Sequence, residues 1–249
     1  MTPRNTTRKP ASMPLTLGSS FSAMRPERCG CLGYPAQAVK RSHAALTLAD
    51  QLSHPFSQAY AVTWTAFLQQ LRRDRPAVEA RVEAVSRRST AQGFPFLAEA
   101  GAFLQGWARA EQGQREAGMA QMAQALVGPR AAGVDQGLPY WLALLAEAYG
   151  QSAQTEEGLA LLSEALPVAD KAGGRYWAAE LYRLTGVVLL RQHAPDATQA
   201  ETWLTQALAM ARQQQVKSWE LRATLSLSRL WQQQGKHDEA RQLLTEVYG

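Results

Sequence analysis

The chain is 249 residues long and 46% hydrophobic, with a formal net charge of +5. No apolar run approaches the roughly 18 residues that a membrane-spanning helix requires, and good helix formers (Ala, Leu, Gln, Glu, Arg) outweigh the β-branched residues of strands. The composition excludes a membrane protein and a sheet-built enzyme and points to an all-α chain.

Arg4, Arg8, Lys9, Arg25 and Arg28 stand against Glu27 in residues 1–28, so that segment holds +4 of the +5. A nucleic-acid binder concentrates positive charge on its folded part, so nucleic acid is not the expected partner. Residues 1–31 mix Pro, Ser, Thr and Arg without a helical or strand period and are read as a poorly ordered lead-in. Cys29 and Cys31 form a Cys-Gly-Cys. A zinc site needs two further ligands nearby, and His43, His54, His193 and His237 do not cluster with them in sequence. They are read as reduced thiols, with no apolar signal core after the early arginines, so the expected compartment is the cytoplasm. No metal or cofactor is expected.

From residue 32 onward the chain reads as one helical-repeat domain, 32–249. The segment 35–52 has the features of the second helix of a pair. First helices are then expected over 55–72, 95–112, 138–151, 176–192 and 218–234, and second helices over 75–91, 114–131, 155–171, 197–214 and 237–248. The period is carried by columns of residues. Ala38, Val78, Gly118, Gly158, Ala200 and Ala240 recur 40, 40, 40, 42 and 40 residues apart. Seven residues on stand Ala45, Val85, Ala125, Ala165, Ala207 and Val247. Four residues on stand Ser42, Val82, Met122, Leu162, Leu204 and Leu244. Ala66, Gly106, Ala146, Gly186 and Ser228 mark the preceding helices. Alternating small and large residues are what close helix packing needs. A helical pair at a fixed period is the signature of a stacked solenoid.

The boundaries have local causes. Pro55 and Pro95 suit a first helical turn, where a missing N–H is no loss. Gly93, Gly133 and Gly173 stand where left-handed caps end second helices. The 42-residue interval contains Pro195, which breaks the pattern, and Asp196, which suits an N-cap. The last helix ends at Tyr248 and Gly249 without an obvious polar cover, so self-association through bare terminal faces is expected.

Leu142, Leu145, Ala146, Tyr149, Gly158, Leu162 and Ala165 resemble the aligned positions of the tetratricopeptide repeat (TPR), as do Leu227, Ser228, Trp231, Ala240 and Leu244. The period departs from the usual 34, and glycines replace the proline near the second helix end. Longer phrases, among them GYPAQAVKRSHAALTLADQLSHPFSQAYA and RLWQQQGKHDEARQLL, resemble the C-terminal TPR region of large bacterial signalling proteins. In those, the array follows an adenylate/guanylate cyclase or DNA-binding domain and a predicted NTPase. The resemblance covers about residues 32–249. It implies a right-handed α-solenoid of about five and a half TPR-like hairpins, acting as a non-catalytic interaction or regulatory module in detached or truncated form.

No phosphate-binding GxxxxGK[ST] is present, and Glu156–Glu157 and Asp238–Glu239 are read as complementing helix dipoles. No enzyme activity is expected. TPR geometry implies a concave groove lined by first helices, which assigns Tyr60, Thr63, Phe67, Phe103, Trp107, Tyr140, Glu147, Arg183, Arg191, Arg222 and Arg229 to it. Early aromatics and late arginines suit an extended peptide with an apolar segment followed by acidic groups. Trp64, Trp141, Trp203 and Trp231 are assigned to packing. The alternatives are a nucleic-acid-binding helical repeat and a gene fragment without a function.

Overall fold

The computed structural model describes residues 33–133, 137–171 and 175–248. The lead-in with Cys29 and Cys31, the cap expected at Gly173 and the final Gly249 lie outside those residues. Within them the chain is all-helical. Its elements are α1 (Pro35–Leu52), α2 (Pro55–Leu71), α3 (Arg75–Gln92), α4 (Pro95–Glu111), α5 (Arg115–Ala125) and α6 (Val127–Ala131). They continue with α7 (Leu138–Gln151), α8 (Thr155–Lys171), a 3-10 turn (Arg175–Trp177), α9 (Ala178–Leu189), α10 (Ala197–Gln214), α11 (Lys217–Gln233) and α12 (His237–Tyr248).

Two elements depart from expectation. The second helix expected over 114–131 breaks at Leu126 into α5 and α6. Pro129 has no N–H for the carbonyl four residues back, at Ala125, and its ring crowds that turn. The helix expected over 176–192 opens as the 3-10 turn, and α9 stops at Leu189.

Proline and capping chemistry set the remaining starts. Pro35, Pro55 and Pro95 open α1, α2 and α4. The Asp74 carboxylate accepts from the Ala77 N–H at 3.2 Å, and Asp196 accepts from the Gln199 N–H at 2.8 Å. The ends repeat with the period. After first helices, left-handed residues fall at Arg73, Gly113, Ala153 and Gly235; after second helices, at Ser53, Gly93, Gly133 and Gln215. The turns after α2, α4, α7 and α11 are closed by the same long bond, such as Gln114 N–H to the Arg109 carbonyl and Lys236 N–H to the Trp231 carbonyl, whereas α9 ends without it.

The repeating columns are the packing seams. Ala38, Val78, Gly118, Gly158, Ala200 and Ala240 are all buried, as are Ala66, Gly106, Ala146, Gly186 and Ser228. The closest crossing is at Gly106 and Gly118. A Cβ on Gly118 would stand 2.6 Å from the Gly106 carbonyl oxygen, so the two backbones touch with no room for a side chain.

First helices pack on one another in order: α2 on α4, α4 on α7, α7 on α9 and α9 on α11. Each second helix packs on its own partner and on the next first helix, and no comparable packing joins successive second helices among the described residues. The first helices therefore form the inner layer of a curved array, and the main core lies within it. Leu138 to Ala146 of α7 is buried without interruption, which a helix reaches only when neighbours cover every side. The curvature brings the last hairpin back to the start of the array. The Arg222 Nη2 donates to the Leu71 carbonyl at 2.8 Å, across 151 residues of sequence.

The outer surfaces of the terminal helices are polar. Glu239, Arg241, Gln242, Thr245 and Glu246 are the exposed side of α12; Lys40, Arg41, His43, Thr47 and Asp50 are exposed on α1. The exposed sides of α1 and α12 are thus mostly polar; among the described residues the exposed large apolar side chains are Tyr34 and Leu52, at the two ends of α1, and Val127 of α6.

Candidate functional site

Of the residues assigned to a concave groove, all but Arg191 and Arg229 gather in the inner layer, and the structure divides the assignment into three sets. The aromatics of α2, α4 and α7 form a ring cluster. Trp141 stacks on Phe67, Phe96 and Phe103 at centroid distances of 5.5, 5.6 and 5.2 Å. Tyr60 is half-buried, 5.7 Å from the Trp64 ring, and Trp107 is buried. Thr63 is buried with its hydroxyl donating to the Ala59 carbonyl at 2.8 Å. An open groove walled by Thr63, Phe67, Phe103, Trp107 and Tyr140 is therefore corrected. The inner faces of the first helices converge closely enough to exclude water, and apolar rings are most stable there.

The second set is ionic and centred on Glu180, a residue absent from the groove assignment. Its Oε2 accepts from Arg183 Nε at 2.8 Å; its Oε1 accepts from Arg183 Nη2 at 2.9 Å and Arg222 Nη1 at 3.0 Å. Burial alone would push this carboxyl up. The Arg183 and Arg222 guanidiniums, with the hydrogen bonds from Arg183, outweigh it and hold the group at about 2. Arg183 also donates to Ser226 Oγ at 3.3 Å. Arg73, at the α2–α3 turn, pairs with Glu147 of α7 at 2.5 Å. Chemically this is a brace rather than a reactive centre: both Glu180 oxygens are occupied, and α9, α11 and the end of α2 are tied together through it.

Between the two sets stands Tyr140. Its hydroxyl donates to Gln70 Oε1 at 2.6 Å, and its ring stacks on Trp177 at 4.4 Å and lies 6.4 Å from Trp219. Arg222 lies over the Trp219 ring at 5.0 Å. The third set is Arg191 and Arg229, which are exposed and do not join the others.

Sequence reasoning missed Glu180, Arg73, Gln70, Trp177 and Trp219. Glu180 and Arg183 stand three apart in an otherwise apolar helix, and that spacing was the available signal. Arg73 gives no comparable signal: it occupies the left-handed position that Gly113 and Gly235 fill elsewhere, and its φ of 57° is visible only in the fold. Of the tryptophans assigned to packing, Trp64 and Trp141 are buried, while Trp203 and Trp231 are half-buried. The Trp231 indole N–H donates to Glu201 Oε1 at 2.7 Å.

Among the described residues no group of three or more His, Cys, Asp or Glu is placed to hold a metal ion. No helix among them is long and apolar enough to cross a membrane.

No protein-family model matches the chain. An uncharacterized protein of Rhizobium meliloti (strain 1021) is 27% identical over 200 residues, covering 77% of this chain and 19% of that protein. Aspartyl phosphate phosphatase F from Bacillus subtilis, a solved crystal structure, superposes with a TM-score of 0.57 at 12% identity. That alignment covers 94% of this chain and 57% of the phosphatase chain. The chain thus spans less than a fifth of the Rhizobium protein and just over half of the Bacillus one. The structural likeness is one of fold: a helical-repeat architecture.

Proposed function

We propose that the chain is a non-catalytic protein-interaction module, built as a right-handed α-solenoid of about five and a half TPR-like hairpins. Its setting is that of an array from a bacterial signalling protein linked to a cyclase or predicted NTPase, in detached or truncated form and working in the cytoplasm. The observation that carries the reading is the ordered stacking of first helices into one inner layer. Such an array presents a long surface whose shape is set by neighbour packing rather than by a reactive pocket. The resemblance of the repeat columns to TPR sequences supports it, and so does the helical-repeat likeness.

The partner is a protein segment carrying acidic groups. Arg191 and Arg229 are its first contacts, because they are exposed on α9's end and on α11. Arg183 and Arg222 serve the fold, and reversing their charge would unbrace Glu180, so they make poor probes of binding. The test immobilises the full chain beside an Arg191→Glu/Arg229→Glu variant of equal helicity. Proteins retained by the first and lost by the second support the reading. Retention no better than by an unrelated helical protein overturns it.

A further inference from the structure

Where the last hairpin meets the first helices, the closure is thin. A cavity of about 190 Å3 lies in the seam, lined by Pro35 of α1, Leu68 and Leu71 of α2, and Trp219, Leu221 and Arg222 of α11. By volume it holds about one amino-acid side chain, taking roughly 30 Å3 per water as the scale. The seam has an excess of donors. The Trp219 indole N–H, on a residue 1% exposed, has no acceptor. The Gln70 amide N–H, fully buried one residue before Leu71, has none either. Arg72 and Arg222 both line the cavity, and the neighbouring brace sets Arg73, Arg183 and Arg222 against Glu147 and Glu180. Unpaired buried donors and surplus positive charge both favour an anionic acceptor.

We propose that the seam cavity is a binding site for the acidic side chain of a peptide, with the carboxylate held by Arg222 and the Trp219 N–H. Leu68, Leu71 and Leu221 take the aliphatic part of that side chain. The occupant is a peptide because a second cavity, of about 490 Å3, continues along the same seam. It is lined by Tyr34, Arg212, Lys217 and Glu220, so the two cavities share the sequence-adjacent pairs Tyr34–Pro35 and Lys217–Ser218. An extended chain rising about 3.3 Å per residue passes from one to the other. Glu220 does not repel it, being tied to Lys217 at 2.8 Å and Arg212 at 3.2 Å. Residues 1–28, with their +4 charge, have the wrong sign to be that occupant. Gly33 keeps the seam narrow beside Lys217: a Cβ there would stand 2.7 Å from the Lys217 Cβ.

This proposal rests on the reading of the chain as an interaction module and adds the anchoring subsite and its chemistry. The test is nuclear magnetic resonance on the 15N-labelled full chain, following the Trp219 indole signal, identified by its loss in Trp219→Phe. Acetyl-Leu-Glu-Leu-amide is the probe. A saturable shift of that signal is expected, with the Gln analogue binding at least about tenfold more weakly, the loss expected for one charge-assisted pair. An unmoved signal at 10 mM, roughly the weakest affinity of interest, overturns the site, as does equal binding of the Gln analogue. N-acetylglutamate binding as tightly as the peptide overturns the peptide assignment. A partner captured through Arg191 and Arg229, with the Trp219 signal unmoved, removes the seam site and leaves the interaction module standing.

Discussion

In α2, α4 and α7 the inner layer is made of rings touching rings, with Trp141 in contact with three of them. In α9 and α11 the same layer is made of one carboxylate gripped by two guanidiniums. Both regions are buried, and both occupy the same place in the architecture. Their stability has different origins. The ring cluster gains from every apolar atom withdrawn from water, in roughly additive steps. The brace gains little net energy when complete, because desolvating three charges offsets their attraction, yet it loses heavily when one member is removed. One half loses stability in proportion to the apolar area removed; the other is all or nothing.

Removing one member is costly in both regions; the contrast lies in what replacing the whole set does. Trp141→Ala is expected to cost ~3–5 kcal/mol in urea unfolding, and Glu180→Ala a similar ~3–5 kcal/mol because two guanidiniums are left unpaired. The comparison breaks if the replacement of all three, Glu180→Met with Arg183→Met and Arg222→Leu, costs as much as Glu180→Ala. It is expected to return to within about 1–2 kcal/mol of the parent, since an apolar substitute removes the desolvation cost. Acid is next in size. The Glu180 carboxyl is depressed to about 2 in the fold, so its contribution is fully present above the ordinary carboxylate range and is lost as pH falls from about 4.5 through 2. Urea unfolding at pH 6 and pH 2 should differ by on the order of 3 kcal/mol from this group, and Glu180→Gln should flatten that part of the profile. The ring cluster contributes no such slope. The smallest effect is expected at Arg130, whose exposed pair with Glu164 joins α6 to α8 at 2.7 Å. Arg130→Ala should cost ~0.2–1 kcal/mol, and less in 1 M salt.

Most helix limits were legible because proline, aspartate and glycine act locally. Pro55 and Pro95 open helices wherever the next turn is apolar, and Gly93 caps α3 through its own backbone freedom. The burial of the repeating columns was legible for a related reason: spacing alone places Ala146 and Gly158 on facing surfaces. The break at Leu126 was readable from Pro129, yet Pro167 sits inside an unbroken α8, so the residue type does not decide the outcome. The site was less legible. The groove residues lie where the period puts them, but whether they face solvent depends on how far the array curves. Curvature accumulates from small rotations at each hairpin and leaves no residue signature. Arg222 at Leu71 and Tyr140 at Gln70 are contacts that no forty-residue period predicts.

The seam also fixes an order of events. Hairpin contacts join neighbours in sequence, whereas the bond from Arg222 to Leu71 must first close a loop of 151 residues. Folding is therefore expected to zip the hairpins first and round the array last, which pulsed hydrogen exchange would show as hairpin amides protected before those at the seam. On warming the sequence reverses, and the seam parts while the hairpins hold. The first excursion from the native state is an open arc, and in that arc Tyr140 and Arg183, hidden at rest, come within reach of another molecule.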